Sequence, residues 1–559
     1  MIINTIKNWG LICLMLFSGI LSFGQQQTMG VFIYDKENTA DGYIFFSPNS
    51  YTDAYLIDNC GFLVNSWDRD HVPGLAGHLT PSGLMLRTGK VNGPFYSQAS
   101  TGGNLELVDW DNNTVWSSDF NQFEFIQHHD AVLMPNGNVI YIGWERISPA
   151  QQIEYGRNPS EVSQPHLWGE FIQEVKPIGN SDYEVVWEWH LQDHFVQDYD
   201  PSKQNYGVVQ DELGKVDINY EGPAIFSDED WWHCNALDYN EDLDQILLNC
   251  RSNGEVWIID HSTTTEEATG TTGGNSGKGG ELLYRWGNPS SYKRGSIADL
   301  RQYGSHGHYW IPEGLPNAGK IMFFNNGDQR PQGYYSTVEM IDPIFENGEY
   351  RKNNNERYYP LEPEIAYKAP NPFDFRSTYL SNANQLSNGN VFINEGGTGR
   401  LFEVNAQGNI VWEYLNPVDG SGPNVQGENV WSFQRQIFRA YKYEPDYPAF
   451  EGKDLTSGEL LEGDSEYNQC MDVSTNDENT LSDVGLTYDL GSGFLTIENI
   501  SNKNLTLTVQ SIDGKIHMQE SINNAYHEIN LNALQAGVYV ISVVTSDGKK
   551  GLNKKIVRI

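Results

Sequence analysis

Short apolar stretches with strand-like alternation, separated by turn residues, recur along most of the chain. Two segments show the pattern most clearly, His128–Tyr141 and Ser381–Ile393. In each of them two alternating apolar runs flank an Asn-Gly turn, which is the strongest short signal of a β-hairpin. The pattern predicts antiparallel strands, and the lack of long helical runs favours an all-β fold.

Each repeat unit then ends in a strand that closes with an aromatic residue. Six such closures occur at uneven spacing: Trp67, Trp116, Trp187, Trp286, Tyr367 and Trp412. Six four-stranded units with insertions between strands predict a six-bladed β-propeller over residues 25–450. The tract Thr263–Gly280, rich in Thr and Gly, is interpreted as a flexible insertion. Asn429–Tyr443 is strand-like and is expected to close the ring.

The chain changes character after the predicted propeller. Residues 451–483 are acidic and polar, which is typical of a linker. Residues 484–559 return to strand-like runs, such as Leu505–Val509 and Val538–Val544. This last region is predicted to form a small, separate β-sandwich.

Two motifs in the last region carry a resemblance, Gln535–Val540 and the basic terminus Lys554–Ile559. They resemble the C-terminal sorting domain of the type IX secretion system of Bacteroidetes. The resemblance implies export through the periplasm to the cell surface or the medium, with the type IX machinery as a partner. The alternative is an ordinary immunoglobulin-like module.

The charge balance narrows the choice of partners. The 559 residues include 74 acidic and 35 basic side chains, a formal net charge of −39. Such a surface repels phosphate backbones, which argues against a nucleic-acid partner. An acidic coat of this kind also keeps an extracellular protein soluble.

The first 24 residues have the pattern of a secretory signal peptide. Lys7 supplies the positive charge, Leu11–Leu21 the apolar core and Ser22-Phe23-Gly24 the small-residue cleavage site. The apolar run is too short to span a membrane, and no other segment approaches the required length. We therefore expect a secreted or cell-surface protein without a membrane span.

Four cysteines follow the signal peptide, and outside the cytoplasm they can pair. They are Cys60, Cys234, Cys250 and Cys470. Cys234 and Cys250 flank a turn on neighbouring strands at nearly symmetric offsets, so cross-strand geometry allows a disulfide between them. The alternative is two free buried thiols. No Cys-x-x-Cys spacing suggests zinc.

Three histidines fall at the same place in the repeat. A proline follows both His129 and His306 by six residues, and an asparagine follows both His129 and His233 by seven. His129, His233 and His306 therefore share one slot, at the start of the innermost strand of three blades. Innermost strands line the axial channel of a propeller, so these side chains are expected to meet there. The same register places Ser381 in this slot in the last unit.

Neighbouring residues extend the predicted site. Because strand side chains alternate, Asn235 shares the face of His233, and His308 shares the face of His306. Arg330, at the end of the strand that follows His308, is expected to reach the same mouth. Each residue also has a plainer interpretation, as a hydrogen-bonded structural group or, for the arginine, a surface ion pair.

Neutral histidines beside an arginine can bind an anionic tetrahedral group, such as a sulfate or phosphate, and react with it. Arginine binds sulfate or phosphate oxygens in a fork. Histidine can attack the sulfur or protonate a leaving phenolate. The sequence shows no obvious carboxylate pair or Ser nucleophile elbow that would favour another chemistry.

Several short motifs, in their order along the chain, carry a second resemblance: His233–Asp238, Arg285–Gly287, Ile321–Arg330 and Asn384–Asn390. They resemble the bacterial arylsulfate sulfotransferase family. That family is a six-bladed propeller that moves a sulfuryl group from one phenolic ester to another phenol through a transient sulfo-histidine, without a nucleotide donor. The resemblance implies an aryl sulfate donor, a phenolic acceptor and no cofactor.

The slot and the resemblance together assign roles. The predicted catalytic residues are His233, His306, His308 and Arg330, and the predicted substrate-binding residues are His129, Asn235 and Ser381. His308 is the preferred nucleophile because its position lies deeper along the strand than that of His306. In the family the nucleophile lies in a later blade than the arginine, yet no histidine occurs between His308 and His517. Either His306 or His308 has taken this role, or no covalent intermediate forms.

Two other functions fit the same pattern. Histidines in a propeller funnel can hold a divalent metal, as in some polysaccharide lyases, and metal analysis separates this reading from sulfuryl transfer. A non-catalytic carbohydrate-binding or adhesion propeller is the second alternative. Glycan binding without turnover of aryl sulfates would favour it.

Overall fold

The computed structural model describes residues 27–91, 100–222, 229–428, 430–463 and 470, and residues 484–558 with gaps at 490–493, 500–503, 512–514, 535–536 and 546–550. These residues fall into two compact units, one within Gln27–Asp472 and one from Val473 onwards. The predicted signal peptide, residues 1–24, lies outside the described residues.

The first unit is built from antiparallel strands. In chain order they are β1 (Gly30–Tyr34), β2 (Tyr43–Pro48), β3 (Ala54–Asp58), β4 (Leu63–Trp67), β5 (Pro73–Leu79), β6 (Met85–Lys90), β7 (Gly103–Val108), β8 (Thr114–Asp119), β9 (Phe125–Leu133), β10 (Val139–Ile147), β11 (Leu167–Ile178), β12 (Asp182–His190), β13 (Phe195–Val196), β14 (Val216–Asp217), β15 (Cys234–Asn240), β16 (Gln245–Cys250), β17 (Glu255–Asp260), β18 (Tyr284–Trp286), β19 (His306–Trp310), β20 (Ile321–Asn325), β21 (Thr337–Ile341), β22 (Phe345–Glu346), β23 (Glu349–Tyr350), β24 (Glu364–Tyr367), β25 (Asn382–Gln385), β26 (Val391–Glu395), β27 (Arg400–Val404), β28 (Ile410–Leu415), β29 (Val418–Asp419), β30 (Gly422–Pro423) and β31 (Ile437–Tyr443). The short pair β13 and β14 is the parallel exception.

Within the described part of this unit, six sheets have four or five strands each. Their strand orders are β31-β2-β3-β4, β5-β6-β7-β8, β9-β10-β11-β12, β15-β16-β17-β18, β19-β20-β21-β24 and β25-β26-β27-β28-β1. The innermost strands β5, β9, β15, β19, β25 and β31 contact one another in cyclic order. The prediction of an all-β propeller is thereby confirmed.

The ring closes by pairing the two ends of the unit. Strand β31 pairs with β2, with Tyr443 opposite Tyr43, as expected for the strand-like segment before residue 443. Strand β1 adds a fifth strand to the last sheet, with Gly30 opposite Leu415. Two strands from the N-terminal part thus hold the C-terminal part in place.

The six aromatic closures are buried side chains on the fourth strand of each sheet, which is also the outermost strand except in the last sheet, where β1 lies outside Trp412. Several of their indoles donate a hydrogen bond to backbone outside their own sheet. Trp67 donates to the carbonyl of Asp109 at 2.9 Å, and Trp116 to that of Asp182 at 2.8 Å. Burying a large ring while satisfying its N–H explains why an aromatic residue recurs at this position.

In the residues that the structure describes, helices are few and short. The α-helices are α1 (Pro149–Glu154) and α2 (Thr265–Ala268), and the 3₁₀ turns are Pro159–Glu161, Leu191–His194, Val209–Asp211, Ile297–Asp299, Pro372–Asp374, Ser432–Gln434 and Pro448–Phe450. Helix α2 lies in the tract interpreted as a flexible insertion. Thr264 and Glu267 form a capping box there, and the indole of Trp189 donates to the carbonyl of Gly280 at 2.8 Å. This tract is therefore anchored, because side-chain caps and backbone contacts replace the expected freedom.

The first part of the predicted linker, residues 451–483, is attached to the first unit. Leu460 is buried and forms a bridge with Phe62, and Glu462 is 1% exposed. A disulfide joins Cys470 to Cys60. These contacts make the acidic segment part of the first unit, which extends to Asp472. The average hydropathy of this acidic segment is low, so it does not indicate the few residues that attach the segment to the propeller.

The second unit is a β-sandwich, as predicted. Its strands are β32 (Val484–Asp489), β33 (Phe494–Asn499), β34 (Leu505–Ser511), β35 (Ile516–Ile522), β36 (Tyr526–Asn530), β37 (Gly537–Thr545) and β38 (Gly551–Arg558). They form the sheets β32-β33-β36 and β35-β34-β37-β38. Alternating apolar residues such as Leu507 and Ile541 fill the core between them. Among the described residues of the whole chain, no helix has the length and hydropathy that crossing a membrane requires.

Candidate functional site

The innermost strands share a backbone kink near their N-terminal ends. His129 in β9 and His233 just before β15 both have φ of 49°, and Ser381 before β25 has φ of 89°. In β19 the positive φ falls on Gly307, next to His306. Non-glycine residues in this region cost about 1–3 kcal/mol each. The kink thus recurs at His129, His233 and Ser381, whereas in β19 it falls one residue after His306, so the shared slot of the three histidines stays a prediction.

Three of these side chains lie together. The rings of His129 and His233 are 4.7 Å apart between centroids. Phe438 of β31 lies 6.0 Å from the ring of His129 and 6.4 Å from that of His306. All three histidines are buried. We call His129, His233 and His306 the histidine cluster.

A buried hydrogen-bond chain orients His129. The Nδ1 atoms of His128 and His129 are 2.7 Å apart, and Nε2 of His128 lies 3.0 Å from Oε2 of Glu170. Glu170 accepts two further N–H groups, from Trp144 and from the backbone of Cys234. A carboxylate with only acceptor sites fixes the proton of a neutral His128 on Nε2, so Nδ1 of His129 donates to His128. The lone pair of His129 is then on Nε2.

The other two imidazoles are oriented in the same manner. Nδ1 of His233 lies 2.5 Å from Oδ2 of Asp230. Nδ1 of His306 lies 2.8 Å from Oδ1 of Asn326, whose amide nitrogen donates to two carbonyls. Both rings are therefore held through Nδ1, and the second ring nitrogen of His306 is Nε2. That atom of His306 accepts one long bond, 3.3 Å from the backbone N–H of Leu380.

Burial keeps two members of the cluster neutral. It lowers the pKa of His129 well below the ordinary value, and the neighbouring His233 lowers it further. Burial, and next the positive charge of Arg251, likewise lower the pKa of His306. A neutral imidazole with a free lone pair is a nucleophile or proton acceptor at pH 7.

Arg251 is the cation beside the cluster, and the sequence reasoning missed it. Its backbone N–H donates to the carbonyl of His233 at 3.1 Å. Its Nη2 lies 3.2 Å from Oδ2 of Asp328, and a Cβ added to Gly304 would lie 3.5 Å from the same nitrogen. Gly304 in turn accepts from Nδ1 of His306 at 3.0 Å. The guanidinium thus packs against the turn that carries His306.

A disulfide fixes this arrangement, and it was the signal that could have revealed Arg251. Cys234 and Cys250 form the disulfide predicted as one of two possibilities. The bridge joins the residue after His233 to the residue before Arg251. A cross-strand pair at these positions places His233 opposite Arg251 in the hairpin.

Arg330 lies in other surroundings. Within the described residues its Nη2 donates to Thr337 at 2.9 Å and lies 3.5 Å from Glu339, while its guanidinium stacks on Tyr335 and Tyr303. None of these partners belongs to the histidine cluster. Its predicted catalytic role is untested and stays a prediction.

The side chains of Asn235 and Ser381 form hydrogen bonds with other residues of the propeller. Asn235 donates to the carbonyl of Ser305 at 3.1 Å and accepts from Asn249 at 2.7 Å. The hydroxyl of Ser381 accepts from the backbone of Gly396 at 2.9 Å. Asn235 therefore positions the residue before His306, whereas direct substrate contact by either side chain is still a prediction.

His308 is separated from the cluster in its contacts. Its ring stacks on Phe323 with centroids 4.6 Å apart, and both ring nitrogens lack a hydrogen-bond partner among the described residues. It lines a cavity of about 850 Å³ formed by the C-terminal halves of the innermost strands. His306 lies two residues earlier in β19 and is absent from the lining of this cavity, so the two side chains have different contacts.

A metal centre has no obvious ligand set in the part of the chain that the structure describes. No group of three or more His, Cys, Asp or Glu side chains there is arranged to hold an ion. Measuring activity in the presence of a metal chelator tests the metal-dependent alternative.

Comparison with known proteins adds the family. Residues 113–431, more than half of the chain, match the family described as Arylsulfotransferase (ASST). Residues 491–558 match the Secretion system C-terminal sorting domain. No curated protein matches the chain.

Similar solved structures are distant. A protein of unknown function from Bacteroides caccae is 11% identical with a TM-score of 0.35, covering 67% of this chain and 93% of its own. A streptogramin B lyase is 10% identical with a TM-score of 0.33, covering 76% and 96%. AztD from Citrobacter koseri is 8% identical with a TM-score of 0.30, covering 88% and 98%. The family match rests on the sequence itself, and by it the chain belongs to the arylsulfotransferase family.

Proposed function

We propose that the protein transfers a sulfuryl group from an aryl sulfate ester to a phenol at the histidine cluster, with Arg251 as the sulfate-binding cation. The observation that carries the proposal is the position of Arg251 beside His306, a buried neutral imidazole. A guanidinium binds sulfate oxygens through directed N–H groups, and the adjacent lone pair is then close to the sulfur.

In the first half-reaction Nε2 of His306 attacks the sulfur. The N–S bond forms as the S–O bond to the aryl group breaks, and the leaving phenolate takes the Nε2 proton of a His233 that begins the cycle with a proton on both ring nitrogens beside Asp230. The bond from Nδ1–H of His306 to Asn326 supports the positive charge that the ring acquires. The weak bond from Leu380 to Nε2 has to break before the attack.

In the second half-reaction an acceptor phenol replaces the first. Its hydroxyl proton passes to His233, its oxygen forms the new S–O bond, and the N–S bond breaks. His306 returns to its neutral form. Asp230, 2.5 Å from Nδ1 of His233, holds that ring with Nε2 toward the reacting oxygens in both steps.

Three observations support His306 over His308 as nucleophile. His306 shares Phe438 with His129, its Nδ1 proton is fixed by Asn326, and Arg251 is its neighbour. Arg251 also precedes His306 along the chain, as an arginine precedes the nucleophile in the family pattern, although the motif that carries the resemblance places that arginine at Arg330.

The secretion signal and the reaction fit one location. The C-terminal sorting domain indicates secretion to the cell surface or the medium. We infer that the type IX machinery is its partner there. A transferase that needs no nucleotide donor can work outside the cell, where such donors are not supplied.

The test is transfer from para-nitrophenyl sulfate to phenol by the purified protein with a metal chelator present. Phenyl sulfate should form as nitrophenol is released, at a rate that the chelator does not change. Loss of transfer on chelation would support a metal-dependent enzyme. No transfer from any aryl sulfate by folded protein would favour the non-catalytic binding propeller.

A further inference from the structure

The cavity at the C-terminal ends of the innermost strands is a second site, separate from the histidine cluster. Its volume of about 850 Å³ is in the range of ligand pockets. We call it the tyrosine cavity, because tyrosines supply much of its wall: Tyr239, Tyr309, Tyr441, Tyr443 and Tyr447. The rings of Tyr443 and Tyr447 are 4.4 Å apart, and Tyr441 stacks on Tyr443 at 6.0 Å. Such a wall suits a flat aromatic ligand.

The cations in its lining are already neutralised. The guanidinium of Arg439 lies 2.7 Å from Oδ2 of Asp130, and Nζ of Lys442 lies 2.7 Å from Oε2 of Glu403. All four residues are buried. Because each positive charge has a buried carboxylate partner, the floor offers no free cation to an anion.

The rim carries the opposite charge. Four carboxylates border the opening: Glu241, Glu313, Glu444 and Asp446. Burial raises the pKa of Asp238, deeper in the lining, to about 7. An aryl sulfate therefore meets repulsion at the opening and finds no compensating cation inside.

The lining of the tyrosine cavity nevertheless offers one hydrogen-bond acceptor to a ligand hydroxyl, the ring of His78. His78 is half-buried in the lining, its ring lies 5.9 Å from that of Tyr441, and the ring nitrogens form no hydrogen bond with the described residues. Burial lowers its pKa to about 4, so the ring is neutral at pH 7 and can accept a proton in a hydrogen bond.

From the tyrosine wall, the paired cations, the acidic rim and the partnerless His78, we propose that the tyrosine cavity binds an uncharged aromatic alcohol. The aromatic body packs against the tyrosines and the hydroxyl donates to His78. The ligand class is that of the acceptor and the desulfated product in the proposed function, and only this link rests on that function. Binding itself requires no transfer.

Calorimetric titration of the full-length protein with 2-naphthol and with 2-naphthyl sulfate tests the proposal. 2-Naphthol should bind, and the sulfate ester should bind at least about tenfold more weakly to the same site. Leu133→Trp fills the cavity, because Leu133 lines it, and should weaken 2-naphthol binding by about tenfold or more. Val185→Trp, at an exposed position on the outermost strand of the same sheet, is the matched control and should bind normally.

Two further variants keep the result interpretable. His78→Phe removes only the hydrogen-bond acceptor and should also weaken binding, even if Leu133→Trp fails to fold. His306→Ala should bind 2-naphthol normally whether or not the protein transfers sulfuryl groups. Loss of binding in His306→Ala with Leu133→Trp unaffected would overturn the proposal, as would equal affinity for the sulfate ester at the Leu133-sensitive site. Absence of transfer alone would contradict only the proposed function.

Discussion

The two ends of the innermost strands differ in how their cationic side chains are paired. At the N-terminal end, neutral imidazoles lie beside Arg251, whose partner Asp328 is partly exposed, with 29% of its side chain accessible. At the C-terminal end, Arg439 and Lys442 are each paired with a buried carboxylate. We therefore propose that one strand system supplies a site for an anion at one end and a site that disfavours anions at the other.

The difference has a local cause. At the N-terminal end His129 and His233 have the same positive φ, and a long segment after Asp217 precedes His233. At the C-terminal end the strands run into tight turns, and β31 contributes alternating Arg439, Tyr441 and Tyr443 to one wall. The repeat fixes where side chains meet, whereas the residue in each slot decides the chemistry.

The largest expected effect comes from replacing His306 and His308 separately and comparing the two variants. His306→Ala removes the proposed nucleophile, so kcat for aryl sulfate transfer should fall by about 10³ or more. His308→Phe keeps the stacking on Phe323 and should leave kcat near the wild-type value. Steady-state assays of both variants, with circular dichroism to confirm folding, decide the matter. Severe loss in His308→Phe with activity retained in His306→Ala would restore the nucleophile first predicted from the sequence.

Arg251 and Arg330 form a second pair for comparison. Arg251→Ala removes the cation proposed to bind sulfate, so kcat/KM should fall by about 10²–10³. Arg330→Ala, whose guanidinium contacts Thr337, Glu339 and two tyrosines, should change kcat/KM little. The same assay measures both. The reverse order of effects would show that the sulfate lies near Arg330.

The disulfide at the histidine end should matter to both stability and activity. Replacing Cys234 and Cys250 with Ala opens a loop of 16 residues in sequence separation. Loss of a cross-link of this length should lower the free energy of unfolding by about 3 kcal/mol, measured by urea denaturation. Because the bridge joins the neighbours of His233 and Arg251, kcat/KM should fall as well. The control pair Cys60→Ala and Cys470→Ala should leave kcat/KM unchanged, and an equal loss there would argue against a local effect.

The smallest expected effect concerns acid stability. Burial holds the pKa of His308 well below its ordinary value, so below pH about 6.5 the unfolded chain takes up a proton that the folded chain does not. Acid therefore favours unfolding of the wild type through this residue, and His308→Phe removes that contribution. Relative to wild type, the variant should gain about 2 kcal/mol more unfolding free energy at pH 5 than at pH 7. Equal differences at the two pH values would mean that His308 titrates normally.

The repeat explains how much of the fold could be predicted. Each aromatic closure marks the fourth strand of a sheet because a large ring is buried there, and the indole of a tryptophan closure such as Trp67 donates to backbone. The register of prolines and asparagines placed His129, His233 and His306 in one slot for the same reason, since turns fix strand register. Both inferences depend on local pattern, which a single sequence displays.

Other contacts are invisible to local pattern. Arg330 is predicted to be catalytic from its place after His308 and from the family resemblance; its side chain contacts Thr337 and Glu339, and its catalytic role stays a prediction. Arg251 directly follows Cys250 and therefore lies opposite His233. The acidic segment after residue 450 has the composition of a linker, although Leu460, Glu462 and Cys470 attach its first part to the propeller. Composition describes the average of a segment, whereas a few buried residues decide its position.

The central claim is that His306 carries the sulfuryl group between donor and acceptor. Rapid mixing with an aryl sulfate in the absence of acceptor, followed by a quench at alkaline pH and mass spectrometry of the intact protein, measures this directly. The account predicts one added sulfuryl group in the wild type and in His308→Phe, lost on addition of phenol, and none in His306→Ala. An adduct that persists in His306→Ala, or transfer at full rate with no adduct in any variant, would contradict it.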